Sequence, residues 1–370
     1  MTVRTRIRNP AAGEVLASIL VNMANGNEGR GALLELAYLC TFPMAARAAI
    51  ILKVPEILAG AGGGPLTAKQ IADRIPGTTT SEAKLDRLLQ ALATHGLFAV
   101  SDSSPRAYSL SAMSKLLVKE ENEDGASLAP LFLLYTEPSQ LEIMRFLHEA
   151  VLDEAVVPFE KCYGKPVYHF YAENPAMGEL FHSAMSNLST TVTKAALKSY
   201  DGFKDVKVLV DVGGSEGMNC SLVRAAHPHI SAINFDMPFV VAKAPPIPGV
   251  EHRGGSMFES VPTGGDAILL KTVLHNWDDG VCGRILGNCY SALPSTGKVI
   301  IIENLLPEKI DESPASRLAA SFDLAMMTVF KGGKERTAQQ FQQLVESVGF
   351  KGFKVAAYGD VLSVMEACKL

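Results

Sequence analysis

An apolar run that breaks into glycines constrains the fold of this chain more than any other feature. The segment Val208–Val212 reads VLVDV, GGSEG follows at 213–217, a helical pattern comes next, and a second apolar run ends in Asp236. A strand, a glycine turn, a helix and an acid at the tip of the next strand form the first half of a nucleotide-binding βαβ unit. In such a unit the glycines let the backbone approach the ligand, and the acid accepts hydrogen bonds from ribose hydroxyls.

Further apolar runs of strand length follow, and their composition indicates a parallel sheet that is covered on both faces. The predicted strands are Val208–Val212, Ala232–Phe235, Ala267–Leu274 and Lys298–Glu303. Ligands of open α/β sheets bind at the carboxyl ends of the strands. Because His275 directly follows the third run, we expect it at that ligand-binding edge.

The segment from about Gly31 to Leu117 is predicted to be mostly helical. Its elements are a helix at Met44–Lys53, helices that begin after Thr67 and Ser81, and strands at Leu97–Val100 and Ala107–Leu110. Thr67 and Gln70 have the spacing of a capping box. Three helices and a β-hairpin form a winged-helix pattern, which serves either for DNA binding or for packing and dimerisation.

Composition argues against several classes of protein. The net charge of −5 and the pI near 5.9 argue against a nucleic-acid partner, which normally requires a basic surface. No apolar stretch approaches the roughly 20 residues of a membrane span, and the N-terminus lacks the apolar region of a secretory signal. The six cysteines are scattered without CxxC spacing, as expected of reduced thiols in a cytoplasmic protein.

Three parts of the chain resemble the plant-type O-methyltransferases. They are the segment Lys207–Glu303, the K-xxx-H-x-W-x-D pattern that begins at Lys271, and the GGKERT segment at 332–337. This family, which includes caffeic acid and flavonoid (isoflavone, chalcone) O-methyltransferases, uses S-adenosyl-L-methionine. The resemblance covers nearly the whole chain. It implies an N-terminal winged-helix dimerisation domain at 1–117, a helical bridge that lines the acceptor site at 118–200, and a Rossmann-like catalytic domain at 201–370. It also implies a homodimer that methylates a phenolic hydroxyl of a phenylpropanoid or flavonoid.

Methyl transfer to a phenol requires a base that removes the phenolic proton. A phenol has a pKa of about 10 and an imidazolium one of about 6.5, so a carboxylate behind the imidazole is needed to favour the imidazolium and fix its tautomer. His275 is the predicted base. Glu303, at the end of the next predicted strand, and Glu335, in GGKERT, are the supporting acids that the resemblance implies. This mechanism needs no metal, and the sequence shows no cluster with metal-ligand spacing.

The resemblance also assigns the residues that contact the methyl donor. Asp211 and Gly213 are expected at its methionine and sulfonium end, and Asp236 at its ribose. Ser256 stands where the family has an aspartate, and Ser215 where a strict GxGxG pattern has its middle glycine, so we expect somewhat weaker donor binding. The remaining donor positions are Met257, Phe258, Lys271 and Trp277 around the adenine and Ser189 at the polar end.

The acceptor pocket is assigned by resemblance alone. Leu188 and Tyr171 stand where some phenylpropanoid-acting members carry histidine, and Tyr135 replaces an asparagine, which argues against a strict caffeate specificity. Methionine and phenylalanine at helical spacing are also an ordinary core pattern. The assigned acceptor residues are Phe181, Met185, Asn276, Phe322, Met326 and Phe330.

Two other functions are compatible with parts of the sequence. A nicotinamide-dependent dehydrogenase shares the βαβ pattern, but a second glycine signature is lacking and the His–Glu–Glu set with GGKERT argues against it. A catalytically silent relative that only binds a ligand or DNA would keep the fold, yet it would be expected to have lost His275 or Glu303, and both are retained.

Overall fold

The computed structural model describes residues 28–77, 79–359 and 361–369. These residues form two compact units. One extends to Glu137 and includes Glu312–Pro314, and the other consists of Pro138–Asp311 and the chain from Ala315 onward. The three-part division of the sequence, with boundaries after residues 117 and 200, stays a prediction.

The first unit is mostly helical and contains a small antiparallel sheet. Its helices are α1 (Glu28–Tyr38), α2 (Thr41–Ile51), α3 (Val54–Ala59), α4 (Ala68–Ala72), α5 (Glu82–Thr94), α6 (Ala112–Lys115) and α7 (Ala129–Tyr135), and its strands are β1 (Leu66–Thr67), β2 (Phe98–Val100) and β3 (Ala107–Leu110). The strands lie in the order β1–β3–β2. The predicted helices and hairpin are therefore present, and one further strand pairs with the hairpin.

The helix boundaries of the first unit follow local sequence signals, with two exceptions. Thr67 and Gln70 form the predicted capping box at the start of α4. Ser81 is the N-cap of α5, but its side chain makes no capping hydrogen bond. The helix predicted at Met44–Lys53 ends at Ile51, and a new helix begins at Val54 although Pro55 follows. Proline is tolerated there because first-turn N–H groups have no partner within the helix.

The core of the first unit is formed by apolar faces of α2, α4 and α5, with fully buried Ala49, Ile71 and Leu89. Among the described residues no single helix has the length and apolar character of a membrane span. The pair Gly29–Tyr38 and Thr41–Ile51, bent by 40°, meets those two criteria only when its members are taken together.

The second unit is built on a seven-stranded sheet. Its strands are β4 (Val208–Val212), β5 (Ser231–Asp236), β6 (Val250–Gly254), β7 (Ala267–Lys271), β8 (Lys298–Glu303), β11 (Lys351–Ala357) and β12 (Ser363–Cys368), and a separate pair consists of β9 (Leu305–Leu306) and β10 (Arg336–Thr337). The order is β11–β12–β8–β7–β4–β5–β6, with β4 to β8 parallel and β11 and β12 antiparallel. The chain reverses its direction of winding between β4 and β7, so the crevice for a ligand lies at their carboxyl ends.

The helices of this unit are α8 (Pro138–Ile143), α9 (Leu147–Leu152), α10 (Pro158–Tyr163), α11 (Val167–Glu173), α12 (Pro175–Ser199), α13 (Met218–Ala226), α14 (Pro238–Val241), α15 (Asp279–Ala292), α16 (Pro314–Val329) and α17 (Ala338–Ser347). Helices α12 and α13 cover one face of the sheet, and α15 and α17 cover the other. Along β4, Val210 packs in the core that contains α15 and α17, whereas its neighbour Leu209 packs in the core that contains α12 and α13. Side chains of a strand alternate between faces, which explains why the predicted strands are apolar throughout.

The strand predicted at Ala267–Leu274 is shorter than expected. It ends at Lys271, and His275 lies in a 3₁₀ turn at Leu274–Asn276. Thr272 has a left-handed backbone with φ of 51°. The next two N–H groups, those of Val273 and Leu274, donate to the carboxylate of Glu303 and are therefore not available to a neighbouring strand. A buried acid thus converts the end of an apolar strand into a turn.

The short pair of β9 and β10 connects two distant parts of the chain. Arg336 pairs with Leu305 in parallel register. Leu305 comes just after Glu303, and Arg336 comes directly after Glu335. This pairing therefore brings the two acids predicted to support His275 to the same end of the sheet.

Candidate active site

His275 has two carboxylates on the same side of its imidazole ring. Its Nδ1 lies 2.8 Å from Oε1 of Glu335 and 3.7 Å from Oε2 of Glu303. The side chains of both acids are fully buried, and that of His275 is 13% exposed. The structure thus brings together the base and the two supporting acids that were proposed from the sequence.

Each of these three residues, together called the triad, also makes a hydrogen bond that involves a backbone group. Oε1 of Glu303 accepts the N–H groups of Val273 and Leu274 at 2.8 Å each. The carbonyl of His275 accepts the N–H of Lys334 at 2.9 Å. The N–H of Glu335 donates to Oδ1 of Asp323 in α16 at 2.8 Å. The position of the imidazole is therefore fixed by its surroundings before any ligand binds.

The acids change the protonation of His275. Burial by itself lowers the pKa of the imidazole, but the charge of Glu303 and the hydrogen bond with Glu335 outweigh burial and hold that pKa above its ordinary value. Burial also raises the pKa of Glu303, against the opposing effect of His275. With Nδ1–H donating to Glu335, Nε2 keeps its lone pair. The arrangement produces an imidazole that is a stronger base at Nε2 than a free histidine.

The same three side chains can also be considered as metal ligands. One ligand atom from each of His275, Glu303 and Glu335 lies within 4.8 Å of the others. Sequence spacing did not indicate this cluster because its members come from three separate elements. The geometry is compatible with a bound ion, although the 2.8 Å distance between Nδ1 and Glu335 is also that of a hydrogen bond.

The glycine turn after β4 closes over the tip of β5. Gly213 has a left-handed φ of 73°, and a Cβ on Gly214 would lie 2.1 Å from Oδ1 of Asn234. Ser215 also has a left-handed φ, of 52°, which explains why a glycine is expected at this position of the motif. Ser215 is held there because its N–H donates to Oδ2 of Asp236 at 2.8 Å, and its carbonyl accepts Nδ2 of Asn234 at 2.8 Å.

The polar groups beside this turn fit a polar, cationic donor. Oδ1 of Asp211 and Oδ1 of Asn234 are buried without a hydrogen-bond partner among the described residues. Burial raises the pKa of Asp211 to about 6, against hydrogen bonding by Asn219 and the charge of Lys271, and burial lowers the pKa of Lys271. Buried acceptors without partners are costly unless a ligand satisfies them.

The other donor positions predicted by resemblance border the same crevice or the helices around it. The N–H of Gly255 donates to the carbonyl of Asp236 at 3.0 Å, so the segment with Ser256, Met257 and Phe258 begins beside the predicted ribose ligand. The rings of Phe258 and Trp277 meet edge to face, 4.9 Å apart.

Ser189 lies in α12, one turn before Thr193 and therefore on the same helix face. Thr193 donates to Asn219, and Asn219 donates to Asp211. The face of α12 that carries Ser189 is thus joined to the predicted methionine end of the donor site.

Three of the acceptor positions meet around a tyrosine that the sequence analysis did not single out. The ring of Tyr168 lies 5.6 Å from that of Phe330 and 6.2 Å from that of Phe181. Nδ2 of Asn276 is 3.4 Å from its hydroxyl. Tyr168 therefore stands between the predicted acceptor wall and the residue next to His275. The remaining positions lie on helices: Met185 in α12 and Phe322 and Met326 in α16, and of these three only Met326 is buried.

Tyr171, which stands where some phenylpropanoid-acting members carry histidine, makes its contacts within the protein. Its ring stacks on Phe181 at 4.7 Å, and its hydroxyl accepts Nε2 of Gln140 at 3.1 Å. Neither Gln140 nor Tyr168 could be found from periodicity. The only sequence signal was the aromatic cluster VYHFY at 167–171, whose geometry depends on the packing of α11 against α12.

Comparisons with known proteins agree with this architecture. Residues 144–351 match the model of a family described as O-methyltransferase domain, and residues 34–120 match one described as O-methyltransferase dimerisation domain. The chain is 41% identical over 340 residues to an anthranilate N-methyltransferase of Ruta graveolens, covering 91% of this chain and 92% of the relative. It is 39% identical over 369 residues to an (iso)eugenol O-methyltransferase of Clarkia breweri, covering 97% and 99%.

A solved structure supports the fold. The methyltransferase CalO1 of calicheamicin biosynthesis, in its SAH-bound form, superposes with a TM-score of 0.81 at 24% identity, over 94% of this chain and 99% of that one. The predicted fold class, an N-terminal helical dimerisation domain followed by an α/β methyltransferase domain, is confirmed.

The coupling between Glu335 and His275 predicts a shift in titration. In Glu335→Gln the amide oxygen still accepts Nδ1–H, but a negative charge that stabilises the imidazolium is lost. We expect the pKa of His275, followed by NMR in the absence of ligands, to fall. The exposed acid Glu346, replaced by Gln, serves as the control and should leave this pKa unchanged. An unaltered titration of His275 in Glu335→Gln would contradict the described coupling.

Proposed function

Because this chain belongs to the plant-type, S-adenosylmethionine-dependent O-methyltransferase family, we propose that its acceptor is a phenol. The methyl group goes to a hydroxyl of a phenylpropanoid or flavonoid, and His275 acts as the general base. Glu303 and Glu335 orient the imidazole and increase its basicity. The observation that carries this proposal is the 2.8 Å contact between His275 and a buried carboxylate, with a second carboxylate at 3.7 Å.

The acids matter because proton transfer from a phenol to a free imidazole is unfavourable. The pKa values of about 10 and 6.5 differ by roughly 3.5 units, or about 5 kcal/mol. Raising the pKa of His275 reduces that gap. Bound S-adenosyl-L-methionine supplies an electrophilic methyl group on a sulfonium. The protein's own part is to hold the acceptor hydroxyl at Nε2 and to take up its proton, a role typically associated with 10²–10⁴-fold in rate.

Transfer to nitrogen is the alternative that the similarity to an anthranilate N-methyltransferase introduces. An aromatic amine attacks through its neutral lone pair, so it does not need a base to remove a proton beforehand. A histidine whose pKa is raised by two buried acids is of most use to an acceptor that must be deprotonated to react. The triad therefore favours a hydroxyl.

The acceptor class is tested with a labelled methyl donor and a panel of catechols, phenylpropenes, flavonoids and anthranilate. We expect label on phenolic oxygens and turnover that falls as the pH drops through the pKa of His275, since the imidazolium cannot accept a proton. Exclusive labelling of the anthranilate nitrogen would reject the phenolic assignment.

Replacing His275 tests the base. His275→Ala is expected to lower turnover by about 10²-fold or more and to leave donor affinity within a few-fold. Near-normal turnover of His275→Ala at neutral pH would remove this residue from the mechanism.

Replacing Asp236 tests the donor site. Asp236→Ala should weaken binding of the methyl donor by about 1.5–3 kcal/mol in calorimetry, because hydrogen bonds to a charged acceptor are lost.

We also propose that no metal takes part. Proton removal by His275 is sufficient for a phenolic acceptor, and an ion bound between Nδ1 and the two carboxylates would displace the hydrogen bond that orients the base. We expect full activity in excess EDTA without added magnesium. Activity that disappears with EDTA and returns with magnesium would instead assign the cluster of His275, Glu303 and Glu335 to metal binding.

A homodimer is the proposed assembly. The match to a dimerisation domain supports it, as do exposed apolar side chains on α1, where Leu33, Leu36 and Tyr38 are 65%, 61% and 65% exposed. Several exposed apolar side chains on one helix support an interaction site there.

Light scattering should give a mass about twice the 39.5 kDa of the chain. The double variant Leu33→Glu, Leu36→Glu should shift it towards the monomer. Ile310→Glu, at a residue outside this surface that is 99% exposed, should not shift it. A monomeric wild-type protein would contradict the proposal.

A further inference from the structure

Arg336 is a charged side chain with no exposed surface. It is among the largest fully buried side chains of the described chain. A buried guanidinium is costly unless all of its donors and its charge find partners. The partners of Arg336 lie in the turn that carries His275.

The guanidinium holds two carbonyl groups on either side of the base. NH1 donates to the carbonyl of Leu274 at 3.0 Å, and NH2 donates to the carbonyl of Trp277 at 2.7 Å. These carbonyls come one residue before and two residues after His275. A forked, planar donor set bridges two such acceptors in a way that the single ammonium of lysine does not.

The charge of Arg336 is compensated from the protein surface. Nε and NH2 both donate to Oδ1 of Asp279, at 2.9 and 2.7 Å. Nζ of Lys334 donates to Oδ2 of the same carboxylate at 2.8 Å. Partial burial by itself would raise the pKa of Asp279, but the hydrogen bonds from Lys334 and Arg336 lower it below the ordinary value. Asp279 therefore stays ionised and paired.

Three consecutive residues thus act on one turn. The N–H of Lys334 binds the carbonyl of His275, the carboxylate of Glu335 binds its Nδ1, and Arg336 binds the carbonyls of Leu274 and Trp277. Glu335 contacts the base directly, whereas Arg336 contacts only the backbone around it.

We propose that Arg336, paired with Asp279, is a positioning residue that keeps the 274–277 turn in the conformation in which His275 meets Glu335 and Trp277 meets Phe258. Its effect on turnover rests on the proposed role of His275, but its effect on the turn does not. A displacement of about 1 Å at a reacting group is sufficient to change a rate by about 10²-fold. Loosening this turn should therefore affect the base more than it affects the fold.

The chain contains a reporter for this turn, because Trp277 is its only tryptophan. Acrylamide quenching of the intrinsic fluorescence measures the access of solvent to this one side chain, without donor or acceptor present. Two variants weaken the hydrogen bonds that Arg336, paired with Asp279, makes to the turn. Arg336→Lys keeps a charge but loses the fork, and Asp279→Asn removes the compensating charge from a side chain that is 57% exposed.

Glu366→Gln is the matched control. Glu366 accepts Tyr200 and Lys298 in a partly buried network, and Lys298 is at the opposite end of β8 from Glu303. The control should lower the unfolding temperature and leave the quenching of Trp277 unchanged.

In Arg336→Lys we expect a quenching constant at least about two-fold higher than in the wild type, a His275 pKa closer to its ordinary value in NMR titration, and turnover about 10–100-fold lower. Asp279→Asn should show the same changes with smaller amplitude. Folded variants whose quenching and His275 pKa equal those of the wild type would overturn the proposal, whatever their activity. If Arg336→Lys does not fold, Asp279→Asn alone decides.

Failure of the proposed function would look different. If the wild-type protein methylates no phenol, only the turnover measurement is lost. The fluorescence and titration results still test whether Arg336 and Asp279 hold the turn.

Discussion

The contact of one imidazole nitrogen with two buried carboxylates is the interaction on which the rest of the catalytic unit depends. Burial would lower the basicity of His275, and the acids reverse that effect. Two carboxylates without exposed surface are tolerable only because they are engaged: Glu303 by two backbone N–H groups and Glu335 by the imidazole. The sheet and its helices supply the low-dielectric surroundings that strengthen this arrangement.

Both the N–H groups and the carbonyl groups of the turn that carries His275 have hydrogen-bond partners. The N–H groups of Val273 and Leu274 donate to Glu303, and the carbonyls of the turn accept hydrogen bonds from Lys334 and Arg336. Backbone groups that leave a sheet must find such partners or water. The partners are Glu303 and the two chain neighbours of Glu335, so the contacts that satisfy the backbone also orient the imidazole of His275.

In the glycine turn after β4, side chains also satisfy the backbone. Asp236 and Asn234, at the tip of β5, hold Ser215 in a left-handed conformation that glycine would adopt more readily. Beside the loop, Oδ1 of Asp211 and Oδ1 of Asn234 are buried and have no hydrogen-bond partner in the part of the chain that the structure describes. Serine at this position therefore adopts a backbone conformation that favours glycine, and the hydrogen bonds with Asp236 and Asn234 hold it there.

The sequence by itself determined the fold class, the strands at Val208–Val212 and Lys298–Glu303 and the capping box at Thr67, because these depend on local periodicity or on short motifs. The grouping of His275 with Glu303 and Glu335 was predicted from a resemblance between motifs, and the structure brings the three side chains together. The sequence pattern placed the end of β7 incorrectly, since that end is set by Glu303, which lies far along the chain. Only the tertiary structure decided three other features: the position of Tyr168 between Phe181 and Phe330, the hydrogen bond from Gln140 to Tyr171, and the hydrogen bonds of Arg336 to the turn that carries His275. Each depends on which side chain packing brings to a buried polar group, and sequence spacing carries no information about that distance.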